Sequence, residues 1–157
     1  MSAAWPPCCR AHVQVRIKCR AYVKKIAIYK DRLAVQLPER LCIYELSPDE
    51  NGGEFQYRAA ERLNLEIDCN LLVVTAKHFL LCVDAKLQLF SFTGVREREW
   101  VLDSTIKQIK PVGGPSGREG LIVGCADGTI IKVFIDNPFP VPLVRHKAAV
   151  TCVDLSM

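Results

Sequence analysis

The sequence of 157 residues lacks any apolar run of about 18 residues, so it predicts no membrane-spanning helix. Its first residues lack the apolar segment after a basic start that marks a secretory signal peptide. It also lacks a Cys-x-x-Cys pair, and its three histidines, His12, His78 and His146, are scattered. We therefore expect no metal centre and no cofactor site, and we expect each histidine to be structural or exposed.

What the sequence does contain is a globular composition. Half of its residues are hydrophobic and 24% are charged, which favours one folded domain over a disordered chain. The eight cysteines are an even number, which leaves a disulfide framework open. Four of them lie in apolar runs typical of strands, where cysteine acts as a small hydrophobic residue: Cys42, Cys82, Cys125 and Cys152. We therefore favour structural thiols in a reducing compartment over disulfides.

The net charge of +4 is unevenly distributed. Residues 1–40 carry +7 and residues 41–157 carry −3, so the basic excess belongs to the first segment. The basic run RIKCRAYVKK (16–25) could contact nucleic acid or an acidic lipid surface. We favour a solvated linker or an edge strand, because the run has one tyrosine and no second aromatic side chain for base stacking. No nucleic-acid partner is expected.

Short apolar stretches broken by turn residues run through most of the chain and predict antiparallel hairpins. Tight turns are expected at Lys30-Asp31, Pro38-Glu39, Asp84–Lys86 and Asp127-Gly128. No window is convincingly helical. The best candidate is YRAAERLN (57–64), which could equally be an outer strand.

The hairpins recur three times, each time as three apolar strands followed by a more polar one. The third strands begin near Leu41, Leu87 and Ile130, in steps of 46 and 43 residues, close to the period of a WD-type propeller blade. The sequence therefore predicts an all-β fold, a partial WD40-like β-propeller with about three four-stranded blades plus one strand. A propeller closes with four to eight blades, so we expect an incomplete ring and a piece of a longer protein.

We place the predicted blades at about 22–65, 69–104 and 105–147, with the start of a further blade at 148–157, inside a propeller region of residues 15–157. Residues 1–14 are expected to form a disordered N-terminus.

Two features fit WD repeats although no Trp-Asp pair ends a third strand. Asp127-Gly128-Thr129 is expected to form a structural turn between the second and third strands of its repeat, since glycine adopts positive φ without steric cost. His146 precedes AVTCVDLS (149–156), where we expect a structural blade histidine that hydrogen-bonds within the blade.

Candidate catalytic motifs are weak. The loop GGPSGREG (113–120) lacks the Gly-Lys-[Ser/Thr] and the following helix of a phosphate-binding loop, so we interpret it as a hairpin loop. In REREW (96–100), strand alternation would place Arg96, Arg98 and Trp100 on one face of a solvated outer strand and the glutamates on the other. The sequence predicts no enzyme and no catalytic, cofactor-binding or metal residues.

Several longer strings carry a resemblance to a known family. These strings are YVKKIAIYKDRLAVQLPERLCIYEL (22–46), CNLLVV (69–74), SFTGVREREW (91–100), IKPVGGPSGREGLIVG (109–124), IKVFIDNPF (131–139) and AVTCVDLS (149–156). In this order they resemble the intraflagellar transport protein 122 family, the WD-repeat subunits of intraflagellar transport complex A. The likeness runs from about Val15 to the C-terminus, and MSAAWPPCCRAH (1–12) does not resemble the family.

The resemblance implies a stretch around the junction of the first and second of two tandem propellers. It implies a non-catalytic scaffold that supports retrograde ciliary transport and cilium assembly through protein–protein contacts on its blades. The implied partners are other subunits of the complex and ciliary cargo proteins, and the implied locations are the cilium and its base, the cytoplasm and the cytoskeleton. The alternative is a WD-repeat scaffold of another vesicle-coat-like trafficking complex.

Overall fold

The structure, a computed structural model, describes residues 16–48, 55–64, 66–150 and 152–153. Its strands form three four-stranded antiparallel sheets, which we call blades 1, 2 and 3. Blade 1 consists of β1 (Lys25–Tyr29), β2 (Arg32–Gln36), β3 (Leu41–Pro48) and β4 (Phe55–Leu63). Blade 2 consists of β5 (Leu71–Val74), β6 (His78–Val83), β7 (Lys86–Ser91) and β8 (Arg96–Val101). Blade 3 consists of β9 (Ile106–Gly113), β10 (Gly120–Cys125), β11 (Thr129–Phe134) and β12 (Val141–Arg145).

Each blade pairs its strands in chain order, so the first strand lies at one edge and the fourth at the other. The first strand of blade 2, β5, contacts the first strands of both neighbouring blades, β1 and β9. The first strands therefore gather on one side of the molecule and the fourth strands form its outer rim. The described residues contain no helix, and no sheet closes on itself, so the predicted partial propeller is confirmed. In this part of the chain there is accordingly no helix that could cross a membrane.

Two apolar cores lie between the blades. The core between blades 1 and 2 includes Leu41 and Ile43 facing Phe79, and the Phe79 and Phe90 rings stack with centroids 5.2 Å apart. The core between blades 2 and 3 is built around Leu80, Leu87 and Leu121, all fully buried. Burial of this apolar surface is the main source of blade-to-blade stability.

The second face of blade 1 carries a smaller cluster. Val35, Cys42 and Tyr44 are buried there beneath Ile17 and Cys19, which lie in the basic run ahead of β1. Residues 16–24 form no strand, so this part of the basic run is a linker rather than an edge strand. The cations at 16, 18, 20 and 24 remain exposed.

The predicted turns fall between the expected strands. Lys30 and Asp84 have positive φ angles of 51° and 52° at the first positions of two-residue turns. The turn after β6 is shorter than the predicted Asp84–Lys86, because Lys86 already pairs with Val83 and begins β7. The Pro38-Glu39 turn is closed by a hydrogen bond from Leu37 N to Arg40 O.

Of the two alternatives for the segment 57–64, the structure has the outer strand, since the segment belongs to β4 through Leu63 and pairs along β3. One sequence-based interpretation needs correction. In β8 the expected placement of Arg96, Arg98 and Trp100 on one face is wrong. A bulge opposite Leu89 and Phe90 shifts the register, so Arg96 lies on the other face from Arg98 and Trp100. Trp100 is only 2% exposed, so the strand is not simply a solvated edge.

The described cysteines are all free thiols. Cys42, Cys69, Cys82 and Cys125 are buried, and burial raises the pKa of Cys82 to about 12. Cys152 is exposed and lies in no paired strand, unlike its predicted placement. The first two cysteines of the sequence and the expected disordered N-terminus at 1–14 lie outside the described residues.

Candidate functional site

The three blades meet at the main chain of Ala76, in the short link between β5 and β6. The Ala76 amide donates a hydrogen bond to Glu119 Oε2 of blade 3 at 2.9 Å. The Ala76 carbonyl accepts one from Arg32 Nε of blade 1 at 3.1 Å. Arg32 also lies 2.8 Å from a carboxylate oxygen of Glu45 on the neighbouring strand. We call Arg32, Ala76 and Glu119 the polar junction.

Glu119 is a fully buried carboxylate immediately before β10. Its second oxygen, Oε1, accepts a hydrogen bond from the Gly117 amide at 2.5 Å. Burying a carboxylate is costly unless hydrogen bonds replace its water, and charge-assisted hydrogen bonds of this kind are strong. Glu119 thus joins its own loop to the neighbouring blade.

The glycine-rich loop between β9 and β10 is organised around this carboxylate. Gly113, Gly114 and Gly117 have φ angles of 101°, 133° and 85°, which favour glycine. The predicted hairpin-loop interpretation therefore agrees with the geometry, since strand β10 follows directly. The Gly117 amide faces an internal carboxylate, so an incoming phosphate would meet negative charge at this point.

Tyr29 extends from the end of β1 toward the same loop. A Cβ placed on Gly113 would lie 3.6 Å from the Tyr29 hydroxyl oxygen. Among the described residues that buried hydroxyl has no hydrogen-bond partner. The aromatic ring, rather than the hydroxyl, is therefore what Tyr29 contributes to the core between blades 1 and 2.

Further side chains fasten neighbouring blades to the links between them. Gln36, 1% exposed, donates from Nε2 to Ile67 O at 2.7 Å and accepts from the Cys69 thiol at 3.6 Å. On the outer strand of blade 2, Trp100 Nε1 donates a hydrogen bond to Asn137 O at 3.0 Å. Arg98 on the same strand donates one to Ile135 O at 3.2 Å. Sequence reasoning missed these contacts. The signals that the sequence offers for them are the amide side chain of Gln36 in the apolar run of β2 and Trp100 near the end of β8.

The turn predicted from Asp127-Gly128-Thr129 joins β10 to β11. Asp127 Oδ1 accepts a hydrogen bond from Thr129 N at 3.0 Å, and the Asp127 amide donates to Ser104 Oγ at 3.1 Å. Hydrogen bonding to Thr129, assisted by Arg145, lowers the pKa of Asp127. Gly128 has a φ of 89°.

The structure brings Gly128 and His146 together through their main chains. His146 N donates to Gly128 O at 2.7 Å, whereas the His146 side chain is exposed. A Cβ on Gly128 would lie 2.0 Å from His146 O and 2.7 Å from Ala148 O. The chain leaving blade 3 therefore packs directly onto this turn.

No metal-binding group of three or more His, Cys, Asp or Glu side chains occurs among the residues that the structure describes. Of the predicted structural or exposed histidines, His78 places Nε2 2.7 Å from Glu97 Oε2, and His12 lies outside the described part. What the described residues offer is a set of blades held together by polar contacts, with loops and edges facing outward.

The family model described as IFT122 second beta-propeller matches residues 9–157. The intraflagellar transport protein 122 homolog of Danio rerio is 52% identical over 143 residues, which is 91% of this chain and 12% of the relative. The Mus musculus homolog is 53% identical over the same length and shares. The chain thus spans about 12% of the length of these curated relatives.

Two solved structures share the fold at low identity. One is BBS1N in complex with ARL6DN, with a TM-score of 0.54 and 21% identity over 76% of this chain and 37% of that chain. The other is the computationally designed Ika4 protein, with a TM-score of 0.54 and 15% identity over 91% of this chain and 86% of that chain.

Proposed function

The chain belongs to the intraflagellar transport protein 122 family, and from this membership we propose that it is a non-catalytic scaffold within intraflagellar transport complex A. In this role it supports retrograde ciliary transport and cilium assembly by presenting blade surfaces to other proteins. The observation that carries the proposal is the identity of about half of the residues across 91% of the chain, within a propeller domain of the family.

The architecture supports a scaffold in physical terms. Binding residues are commonly held on loops that a rigid framework positions. Here the framework is stiffened by the polar junction, because Arg32 and Glu119 fix the link between β5 and β6 from both sides. Partners that dock on the loops or edges meet surfaces that need little ordering on binding, which reduces the entropic cost of association.

The proposed partners are other subunits of the complex and ciliary cargo proteins. The proposed locations are the cilium and its base, with cytoplasmic and cytoskeletal pools. Within the chain we propose three blades at about 22–65, 69–104 and 105–147, and the start of a further blade at 148–157. We assign Asp127, Gly128 and Thr129 to a structural turn, and His146 to a structural role that the contact of its main chain with Gly128 supports.

A chimera tests the proposal. The matching stretch of the mouse homolog is replaced by this chain, and the chimera is expressed in cells that lack their own homolog. We expect the chimera to co-purify with the other complex subunits and to restore cilium length and retrograde particle movement. A chimera that is folded and abundant but stays outside the complex would overturn the proposal. The unmodified mouse homolog, expressed at the same level, is the control.

A further inference from the structure

A cleft of about 520 Å³ opens on the outer rim between blades 2 and 3. One wall is formed by Val101 and the link at 102–104, and the other by Pro140 and by residues 142–145 of β12. Its floor includes Cys125 and Ile131 from the second and third strands of blade 3. None of the residues of the polar junction lines this cleft.

Several apolar side chains on the rim around this cleft are exposed to solvent. Val101 is 64% exposed and Leu143 is 52% exposed, although both line the cleft. Val144 also lines the cleft and is 47% exposed, and its chain neighbours Phe139 and Val141 are 74% and 43% exposed. Single exposed apolar residues are ordinary, but a contiguous group of them marks an interaction surface.

The chemistry of β12 decides what kind of segment fits. β12 is the outermost strand of blade 3, so one of its edges has no strand partner among the residues that the structure describes. Pro140 and Pro142 lack an N–H, and proline in an edge strand places its nitrogen on the side away from the neighbouring strand. An added strand would lose donors at these positions, so the edge disfavours binding by strand addition. A partner therefore contacts this surface through side chains, as a helix laid in a groove does.

The charge of the cleft indicates which kind of helix it would bind. The exposed Asp103 carboxylate lines the cleft and forms no ion pair within the described part of the chain. The second acid, Asp127, lies 3.9 Å from the Arg145 guanidinium, which offsets its charge. The cleft therefore keeps one uncompensated negative charge, and a lysine or arginine on the partner complements it.

We propose that this cleft binds an amphipathic helix of a partner protein. The helix places an apolar stripe, with the spacing i, i+3, i+4 and i+7, against Val101, Leu143 and Val144, and a lysine or arginine opposite Asp103. The inference deepens the proposed scaffold function and rests on it, because it assigns one docking surface to the scaffold.

The test uses the full 157-residue chain and two fluorescent peptides of about 18 residues, long enough to form helices. Both peptides carry the same leucine stripe, and one has lysines and the other glutamates on the remaining positions. We expect saturable binding of the lysine peptide, measured by fluorescence anisotropy. Val101→Ser and Leu143→Ser should each weaken it by about tenfold, since both remove central apolar contacts.

Val95→Ser is the matched control. Val95 is 60% exposed and lies just before β8, whereas Val101 ends that strand, so the two changes remove similar surface at opposite ends of the strand. Val95→Ser should leave binding unchanged. Asp103→Lys should weaken binding of the lysine peptide and strengthen binding of the glutamate peptide. Circular dichroism verifies that each variant keeps its strand signal.

Three results would overturn the inference. The first is an equal effect of Val95→Ser and Val101→Ser, the second is equal binding of the two peptides, and the third is tighter binding of an extended peptide of alternating valine and threonine. The chimera experiment separates this inference from the proposed function. If the chimera joins the complex while the lysine peptide fails to bind, the scaffold stands and the helix-docking cleft is wrong.

Discussion

Arg32 of blade 1 and Glu119 of blade 3 hold the carbonyl and the amide of one residue, Ala76, in the blade between them. The two side chains lie 44 and 43 residues from Ala76 along the chain, so each is about one blade repeat away. Apolar burial drives the blades together without direction, whereas these two hydrogen bonds fix how far one blade can slide past the next.

Removing the carboxylate at position 119 should destabilise the fold. Glu119→Ala leaves the partly buried Ala76 and Gly117 amides without their acceptor, at a cost of up to about 1–3 kcal/mol for each donor. Glu119→Gln keeps one acceptor oxygen and should cost less. Urea unfolding monitored by tryptophan fluorescence measures both. Glu66→Ala, at an exposed site, is the control and should be neutral. Equal midpoints for Glu119→Ala and Glu66→Ala would contradict the role of the carboxylate.

Gly128→Ala should be more damaging than Gly117→Ala, although the two glycines have φ angles of 89° and 85°. Both changes force an L-residue into the left-handed region, which costs about 1–2 kcal/mol. At Gly128 the new Cβ would also meet a carbonyl oxygen at 2.0 Å, whereas at Gly117 no atom of the described residues lies within 4 Å of it. Thermal unfolding of the two variants isolates the steric contribution. Equal losses would show that the 146–148 segment does not pack on the turn.

Tyr29→Phe should leave stability unchanged or raise it by up to about 1 kcal/mol. The change removes a buried hydroxyl that has no partner among the described residues and keeps the ring in its core. Tyr29→Ala removes the ring as well and should cost about 3–5 kcal/mol, as large-to-small aromatic changes in cores do. Chemical denaturation distinguishes them. A clear loss for Tyr29→Phe would reveal a hydrogen bond to the hydroxyl.

Stability should fall as the solution becomes strongly alkaline, and Cys82 should contribute to the fall. Burial raises the pKa of this thiol from 9.0 to about 12, so the folded state keeps the proton that the unfolded state releases. The contribution of the neutral thiol is fully present below pH 9 and is lost between pH 9 and about 12. Melting temperatures of the wild type and Cys82→Ala across this range measure it. Parallel curves for the two proteins would refute the assignment.

The blades could be predicted from the sequence because hairpins are local. Tyr29 pairs with Arg32 and Val83 with Lys86, and such neighbours leave a visible pattern of apolar runs and turns. The repeat length then gave the number of sheets. Family membership was likewise predictable, because idiosyncratic strings such as SFTGVREREW (91–100) carried the resemblance.

The contacts between blades could not be predicted in the same way. The hydrogen bonds of Trp100 to Asn137 and of Gln36 to Ile67 join residues 37 and 31 positions apart, beyond the reach of local periodicity. Glu119 ends a loop rich in glycine, and the local sequence carries no periodicity that would indicate that its carboxylate is buried. The bulge in β8 similarly shifted which side chains face inward, and alternation alone does not reveal a bulge.

The shared bonds at Ala76 also bear on how the molecule opens. Local openings in native proteins usually release contiguous units, and separate blades would be natural units of this kind. The Ala76 carbonyl is hydrogen-bonded to blade 1 and the Ala76 amide to blade 3. Opening of blade 1 or of blade 3 therefore breaks a hydrogen bond that also stabilises blade 2. Deuterium uptake should therefore be coordinated, with the Ala76 amide exchanging among the slowest and at nearly the same free energy as the core amides of β6 and β10.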